Sequence, residues 1–448
     1  MGTRSGPALF ACGSPADSLF EITVNPPGMK ILIQSATLLD KQSPFHKKKK
    51  NVLINNGRIT EIGDKKFAAD RVIQAAGMFL TTGWFDLGTY VGDPGHEQRE
   101  DLTSLSATAA SGGFTGLAVL PNTNPPIQSK NGVAYLESGN SDRLVQMHAL
   151  ASVTLNNKGE ELTEMIDLHE AGAVGFTDGL KPIWHSDIYL KALQYLQKFN
   201  GVLIDHPEDV WLSMYGQMHE GVNSTRLGLK GIPRIAEELP LGRNIELLNY
   251  GGGKAHFSRL STAKSIDLVR AAQKRGLKVT CDITGYQALL DDSLLADFDT
   301  NYKVSPPLRE KTDRDALIKG LKDGTIGVIS SGHRPHDDES KQLEFDLADF
   351  GIVNLQTFAA NLVALSEAVP MEDLIDKVTV NPRQVVGLPS PLLEEGQMAN
   401  LTLLDPKHKW TLDAGTNLSK AKNSPWYGQQ VKGRTVAVFN NGKSIIHA

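Results

Sequence analysis

Several short segments of the chain concentrate the side chains able to move protons or hold ions: 86–94, 121–126, 177–181, 205–209, 256–261, 284–287 and 332–336. Asp178, His206, His333 and His336 bring carboxylate and imidazole donors of the kind that hold a divalent ion, and Tyr90 adds a hydroxyl. Their spacing repeats no tight ligand pattern, such as two His at i and i+2 of one strand, which would point to the same side. A plainer reading stands beside each. His206, flanked by Asp205, Glu208 and Asp209, suits a hydrogen-bonded His at a helix start. Asn122 in PNTNPP suits a Pro-rich turn as well as a ligand contact. His333 and His336 suit loop ordering. His96, His148, His169, His185, His219, His256, His408 and His447 have no ligating spacing and are read as surface or core residues.

The elements that must position these groups are legible as apolar runs. LTTGWFDLG, GFTGLAVLP, VQMHALASV, AVGFTD, GVLIDH, KAHFSRL, KVTCDIT and IGVISSG alternate with helix-type segments, among them 160–171, 187–198, 262–275 and 312–322. Eight strands alternating with helices predict a closed (β/α)8 barrel over 81–389 rather than an open sheet, and place its working residues at the C-terminal ends of the strands. Short β-type runs with turns such as Asn56-Gly57 fill 29–80, and strand character returns over 390–448. The two stretches are expected to pair into one small β-sandwich. Residues 1–28 have no steady periodicity and no signal-peptide pattern, and are read as a poorly ordered extension. Lys47 to Lys50 read as a solvated hairpin tip.

Composition narrows the function. The chain of 448 residues is 40% hydrophobic and 22% charged with a formal net charge of −5, which gives no reason to expect nucleic acid or an anionic membrane as partner. No run of about eighteen apolar residues suggests a membrane span. Two cysteines, Cys12 and Cys281, make no zinc-type cluster and no disulfide framework, so a reducing cytoplasm is the expected setting.

GWFDLGTYVGDPGHEQRED, the GGFTGLAVLPNTNPP run, DHPEDVWLSMYG, HFSRLSTAKS, TNYKVSPPLR, the GTIGVISSGHRPH turn and SKAKNSPWYG occur in the order seen in dihydroorotases. The chain resembles that family over essentially all of 29–448. The resemblance implies an amidohydrolase barrel with a sandwich made from both termini, and reversible ring closure of carbamoyl aspartate to dihydroorotate at a zinc centre. Such a centre lowers the pKa of a bound water and polarises the amide carbonyl, and a carboxylate after the last strand accepts the proton.

At the family's working positions this sequence departs. The two His of the first strand correspond to Gly88 and Tyr90, the substrate-gripping Arg to Gly92, and the sixth-strand His to Arg259. The general base corresponds to Gly332 and a substrate-contacting Asn to Ser305; a Pro-His-His run is matched by Gly285-Tyr286-Gln287. His206 and Asp178 match retained metal positions, with Gly179 in place of a second Asp, while Asn122 and His336 match substrate contacts. Arg259 is expected to place its guanidinium at the vacated metal position, facing Asp178. The implied function is a dihydroorotase-like protein of pyrimidine biosynthesis without catalysis or bound zinc. It would act as a homo-oligomer or as a structural or regulatory partner, for example of aspartate carbamoyltransferase. Two alternatives remain open: an active cyclic amidohydrolase with an altered metal site, and a scaffolding or ligand-binding protein unrelated to pyrimidines.

Overall fold

The structure, a computed structural model, describes residues 28–447 and the backbone of 23–24; the extension expected over 1–28 otherwise lies outside the described residues. Eight parallel strands form the barrel sheet in sequential order: β1 Trp84–Thr89, β2 Phe114–Val119, β3 Gln146–Ala151, β4 Gly175–Phe176, β5 Leu203–Asp205, β6 Ala255–Phe257, β7 Val279–Thr284 and β8 Val328–Ser330. Seven lie inside one of the apolar runs, and β1 extends one residue beyond its run, to Thr89. Alternation along the strands makes two layers. Phe85, Leu87, Leu120, Leu150, Ile204 and Val328 fill the barrel interior. Trp84, Leu117, Met147, Leu203, Phe257 and Ile283 meet the surrounding helices through Leu105, Val133, Leu193 and Val269.

The seam between β8 and β1 is made differently. No ladder joins these two strands among the described residues. Instead Asp86 accepts from the Ser331 N–H (2.6 Å) and from its hydroxyl (2.6 Å), and Tyr90 N donates to the His333 carbonyl (3.2 Å). Asp86 is fully buried, and burial pushes its carboxyl above the ordinary value despite the bonds from Ser331 and Thr89.

Helix termini follow their sequence signals. Thr262 caps Ala263–Lys274 by accepting from Ser265 N, and Asp101 caps Leu102–Gly112 from both Thr103 N and Ser104 N. The helix predicted over 160–171 is shorter, Met165–Glu170, because 161–162 turn back to bond Leu155 and Thr154. In Lys47–Lys50, Lys47 to Lys49 are exposed, as expected of a solvated tip, with Lys47 pairing with Glu372 (2.6 Å) and the less exposed Lys50 with Asp64 (2.8 Å).

Both chain ends contribute to one β-sandwich. Lys30–Leu39 runs beside Phe79–Thr82, which pairs with Leu401–Thr411 and through it with Gln430–Asn440. Ile31, Ile33, Val52, Leu401, Leu403 and Phe439 share its core. Thr23–Val24, inside the stretch expected to stand apart, pairs with Lys443–Ile446. The N-terminal end of the barrel is closed by 377–391, where Phe85 N donates to the Val378 carbonyl and Ile329 N to that of Lys377. No helix among the described residues is long and apolar enough to cross a membrane.

Two buried carboxylates test this account. Asp86→Ala strands the buried Ser331 N–H and should lower stability by roughly 2–4 kcal/mol in urea unfolding, while Asp86→Asn, which keeps one acceptor, should cost clearly less. Asp205, between β5 and the helix layer, accepts from Asn244 Nδ2 (2.7 Å), but its Oδ1 has no partner. Burial raises its carboxyl from 3.8 to about 6. The native state therefore holds this proton more tightly than the unfolded chain does. The resulting penalty is absent below pH 3.8, grows through the window from 3.8 to 6, and is complete above it. Asp205→Asn should match the parent near pH 4 and exceed it by on the order of 1–3 kcal/mol at pH 8, read by urea unfolding at both.

Candidate functional site

The C-terminal ends of the strands carry the positions singled out by resemblance, and four glycines among them, Gly88, Gly92, Gly179 and Gly332, are covered by neighbouring groups. At the end of β1 the pairing with β2 shifts between Leu87 and Thr89, so that Leu87 and Tyr90 both face the barrel interior. Gly88, inside that irregularity, has φ 95°, a conformation that suits glycine. Its carbonyl accepts from Arg259 Nη2 at 2.7 Å, and a Cβ placed on Gly88 would stand 3.8 Å from the same guanidinium nitrogen. A longer side chain growing from that Cβ would have to displace Arg259.

Arg259 is itself held unusually. It is buried and adopts φ 58°, a left-handed conformation costly for a non-glycine residue. Its backbone N–H donates to Asp282 Oδ1 (3.0 Å), to which Ser330 Oγ also donates (2.9 Å). Asp282 Oδ2 lies 2.9 Å from His256 Nε2, and His256 Nδ1 lies 2.8 Å from Thr280 Oγ1. Burial pushes the Asp282 carboxyl up, but the His256 bond and the charges of His256 and Arg259 outweigh it and hold the group below its ordinary value. The expected partnership between Arg259 and Asp178 does not form. Asp178 turns to the loop after β3, accepting from Val153 N (3.0 Å), Thr154 N (2.9 Å) and the Thr154 hydroxyl, and burial raises its carboxyl to about 6.

The other positions tell a similar story. A Cβ on Gly332, at φ 63°, would come within 2.7 Å of both Thr284 Cγ2 and Tyr286 Cε1, so the buried Tyr286 ring stands where a general base would begin. A Cβ on Gly92 would collide with the His96 carbonyl, because 96–100 folds back over Gly92. Asn122 clamps the loop after β4, donating to the Asp178 carbonyl (3.0 Å) and accepting from Leu180 N (2.9 Å). A Cβ on Gly179, where relatives carry a second Asp, would collide with Asn122 Oδ1.

The four candidate ion donors do not converge. His336 lies with Nε2 3.0 Å from the Phe350 carbonyl and Nδ1 3.2 Å from Asp349, contacts that order its loop. His333 sits 3.6 Å from Glu100, and its Nδ1 accepts from Asn354 N. His206 faces Glu208 at 3.6 Å and leaves Nδ1 without a partner; the adjacent helix start is capped by Asp209 instead. A cavity of about 10 Å³ shared with Ser305 and Arg309 adjoins it, room for roughly one water. Among the described residues no three His, Cys, Asp or Glu side chains form a group able to hold a metal ion. With a guanidinium at the first-strand position, the residues present do not fit a zinc centre of the kind the resemblance implies.

Asp86, Asp282, His256 and Tyr286 were not singled out as site residues, although the last two were noted in the sequence. The DxG stretch and the Asp in KVTCDIT were visible, but nothing in one-dimensional spacing shows which strand neighbour each would meet. Arg334, in the HRPH turn, was likewise passed over; it is held below its ordinary value by burial and by the charge of Arg259, with Tyr90 and Tyr286 also within electrostatic reach.

Comparison with known proteins agrees with this architecture. The Dihydro-orotase-like family matches residues 77–265. The dihydroorotase of Pelotomaculum thermopropionicum is 37% identical over 423 residues, covering 93% of this chain and 99% of that protein. The dihydroorotase of Geobacter sp. strain M21 is 37% identical over 425 residues, 94% of this chain and all of its own length. Among solved structures, the L-hydantoinase (dihydropyrimidinase) from Arthrobacter aurescens shares the fold, with a TM-score of 0.79 at 21% identity over 92% of this chain and 95% of that one. With such identity carried across nearly the full length of both chains, the protein belongs to the dihydroorotase family.

Proposed function

We propose that this member of the dihydroorotase family does not catalyse the interconversion of carbamoyl aspartate and dihydroorotate, binds no zinc at the barrel mouth, and serves pyrimidine biosynthesis as a structural or regulatory partner. The observation that carries this reading is the bond from Arg259 Nη2 to the Gly88 carbonyl, which puts a cation where a metal-binding pair would stand. Removal of a general base alone costs a factor of about 10² to 10⁴ in rate. At Gly332 that base is replaced, and the space beside it is taken by Tyr286. An altered single-ion site is disfavoured because Asp178, His333 and His336 are each engaged elsewhere.

A partner role draws support from the surface. Trp211, Tyr215, Ile235 and Leu239 are exposed apolar side chains on neighbouring segments, joined where Asp209 N donates to the Ala236 carbonyl (2.7 Å). Such clusters are typical of association surfaces, for a second copy or another protein. Aspartate carbamoyltransferase, which makes the family's substrate, is the candidate partner, and the cytoplasm the setting.

Purified protein should show dihydroorotate ring opening at the buffer background and substoichiometric zinc, and should co-elute with the aspartate carbamoyltransferase of the same organism. Stoichiometric zinc with turnover would overturn the non-catalytic reading, and failure to co-elute would remove this partner. The refilled space makes a second expectation. Gly332→Asp should destabilise the chain by roughly 1–3 kcal/mol, since the new Cβ meets Thr284 and Tyr286. Tyr286→Gly in the same chain should recover part of that loss, a coupling read from the double-mutant cycle in urea unfolding.

A further inference from the structure

The opposite end of the barrel holds a cavity of about 430 Å³, open to solvent, between the N-terminal ends of β1–β3, the helix Val380–Val385 and the sandwich. That volume is within the range of small-molecule sites. Its chemistry is one-sided. Arg383, His148 and Arg58 line it together with amides such as Gln146, Asn400 and Asn441, and no acidic side chain among the described residues does so.

Arg383 is the telling member. It is 5% exposed, and its bonds run to the carbonyls of Gly83 (2.9 Å) and Thr379 (2.9 Å) and to the Thr115 hydroxyl (3.3 Å). Five N–H donors in a rigid fork are more than these acceptors use. The guanidinium lies over the Phe85 ring at 5.1 Å, and the His148 ring packs on the other contact of the same Phe85, 5.9 Å between centroids. No carboxylate faces Arg383, and burial alone depresses it to about 9. Burial and the Arg383 charge together depress His148 to about 4. A buried cation without a counter-ion is costly, and a family whose chemistry is at the other end of the barrel gives it no catalytic use.

We infer that this cavity is a binding site for a small organic anion, a carboxylate or a phosphate monoester, with Arg383 as its charge partner and the surrounding amides as its hydrogen-bonding frame. The anion would bridge barrel and sandwich, since its frame comes from both. The inference is independent of whether the barrel mouth is catalytic.

Titration calorimetry and thermal unfolding of the full chain at low ionic strength test it, with succinate and inorganic phosphate as probes and sodium chloride at matched ionic strength as control. One of the two probes should bind near one per chain and raise Tm beyond the chloride control, and which one does so identifies the anion. Arg383→Gln should weaken binding about tenfold or more. Gln146→Glu, an isosteric change that puts a negative charge in the lining without touching the Arg383 bonds, should do the same and decides the matter if Arg383→Gln does not fold. Arg259→Met, at the far end, should leave binding unchanged. The site is overturned if neither probe exceeds chloride, if binding survives Gln146→Glu, or if Arg259→Met abolishes it and so places the anion at the barrel mouth.

Discussion

A parallel barrel must join its last strand to its first, and here a buried carboxylate makes the joint. Asp86 takes both donors of Ser331, a pairing of side chain with backbone that a regular ladder would have supplied with two backbone groups. The arrangement fixes the height of β8 against β1, and with it the place of the Gly88 carbonyl that Arg259 reaches. A carboxyl raised by burial, with three donors converging on it, is a stiff joint because each unmade bond would leave a buried polar group unsatisfied. The irregular pairing of β1 with β2 next to it turns Tyr90 inward and leaves Gly88 in a conformation other residues resist.

Around that joint the barrel mouth obeys a packing rule as much as a chemical one. Replacing metal ligands by smaller residues would leave a void and carboxylates without a counter-charge, both expensive in a close-packed interior. The small residues in question are covered by neighbours, while Asp178, buried with no cation among its partners, relies on three neutral donors of the loop after β3. Arg259 reaches over Gly88, Tyr286 covers Gly332, the 96–100 segment covers Gly92, and Asn122 covers Gly179. Each small residue is matched by a large or folded-back neighbour. These positions are therefore sterically coupled to their neighbours: a larger side chain at Gly92, Gly179 or Gly332 would meet the group that now covers it, so such a substitution is a steric problem before it is a chemical one.

Much of the fold was readable from pattern, because barrel strands are short apolar runs set off by turns, and all eight observed strands fall on such runs, β1 alone passing the end of its run by one residue. The helix at 165–170 was overextended since a backbone bridge between Thr154 and Leu162 competes with its first turn, and a local reading of 160–164 cannot see that partner. The site was legible only as a set of absences. The identity of the residues at 88, 92, 259 and 332 follows from the sequence, but the filling of their places does not. Arg259 was expected to meet Asp178, an attraction of opposite charges that ignored where each backbone aims its side chain. In the fold, Asp178 is consumed by three donors of the neighbouring loop after β3, and the left-handed backbone at Arg259 sends its guanidinium to β1.

The two ends of the barrel then differ in a way that bears on what the protein retains. At the C-terminal end several buried charges have a partner of opposite sign, Asp282 beside His256 (2.9 Å) and Arg309 beside Glu237 (3.7 Å), and the space around Gly88 and Gly332 is occupied. At the N-terminal end Arg383 has acceptors but no counter-charge, and the space beside it is open. Desolvating a guanidinium beside an open cavity is unfavourable unless something else offsets it. Part of the offset is visible, in three hydrogen bonds and the Phe85 face, and it ties helix Val380–Val385 to β1 and β2. That tie holds the plug of the barrel in place, so the same residue that keeps an unspent charge also fixes the junction with the sandwich. A chain whose mouth is filled but whose junction stays polar and open has its unpaired charge, and with it the place an anion would occupy, at the end of the barrel remote from the mouth.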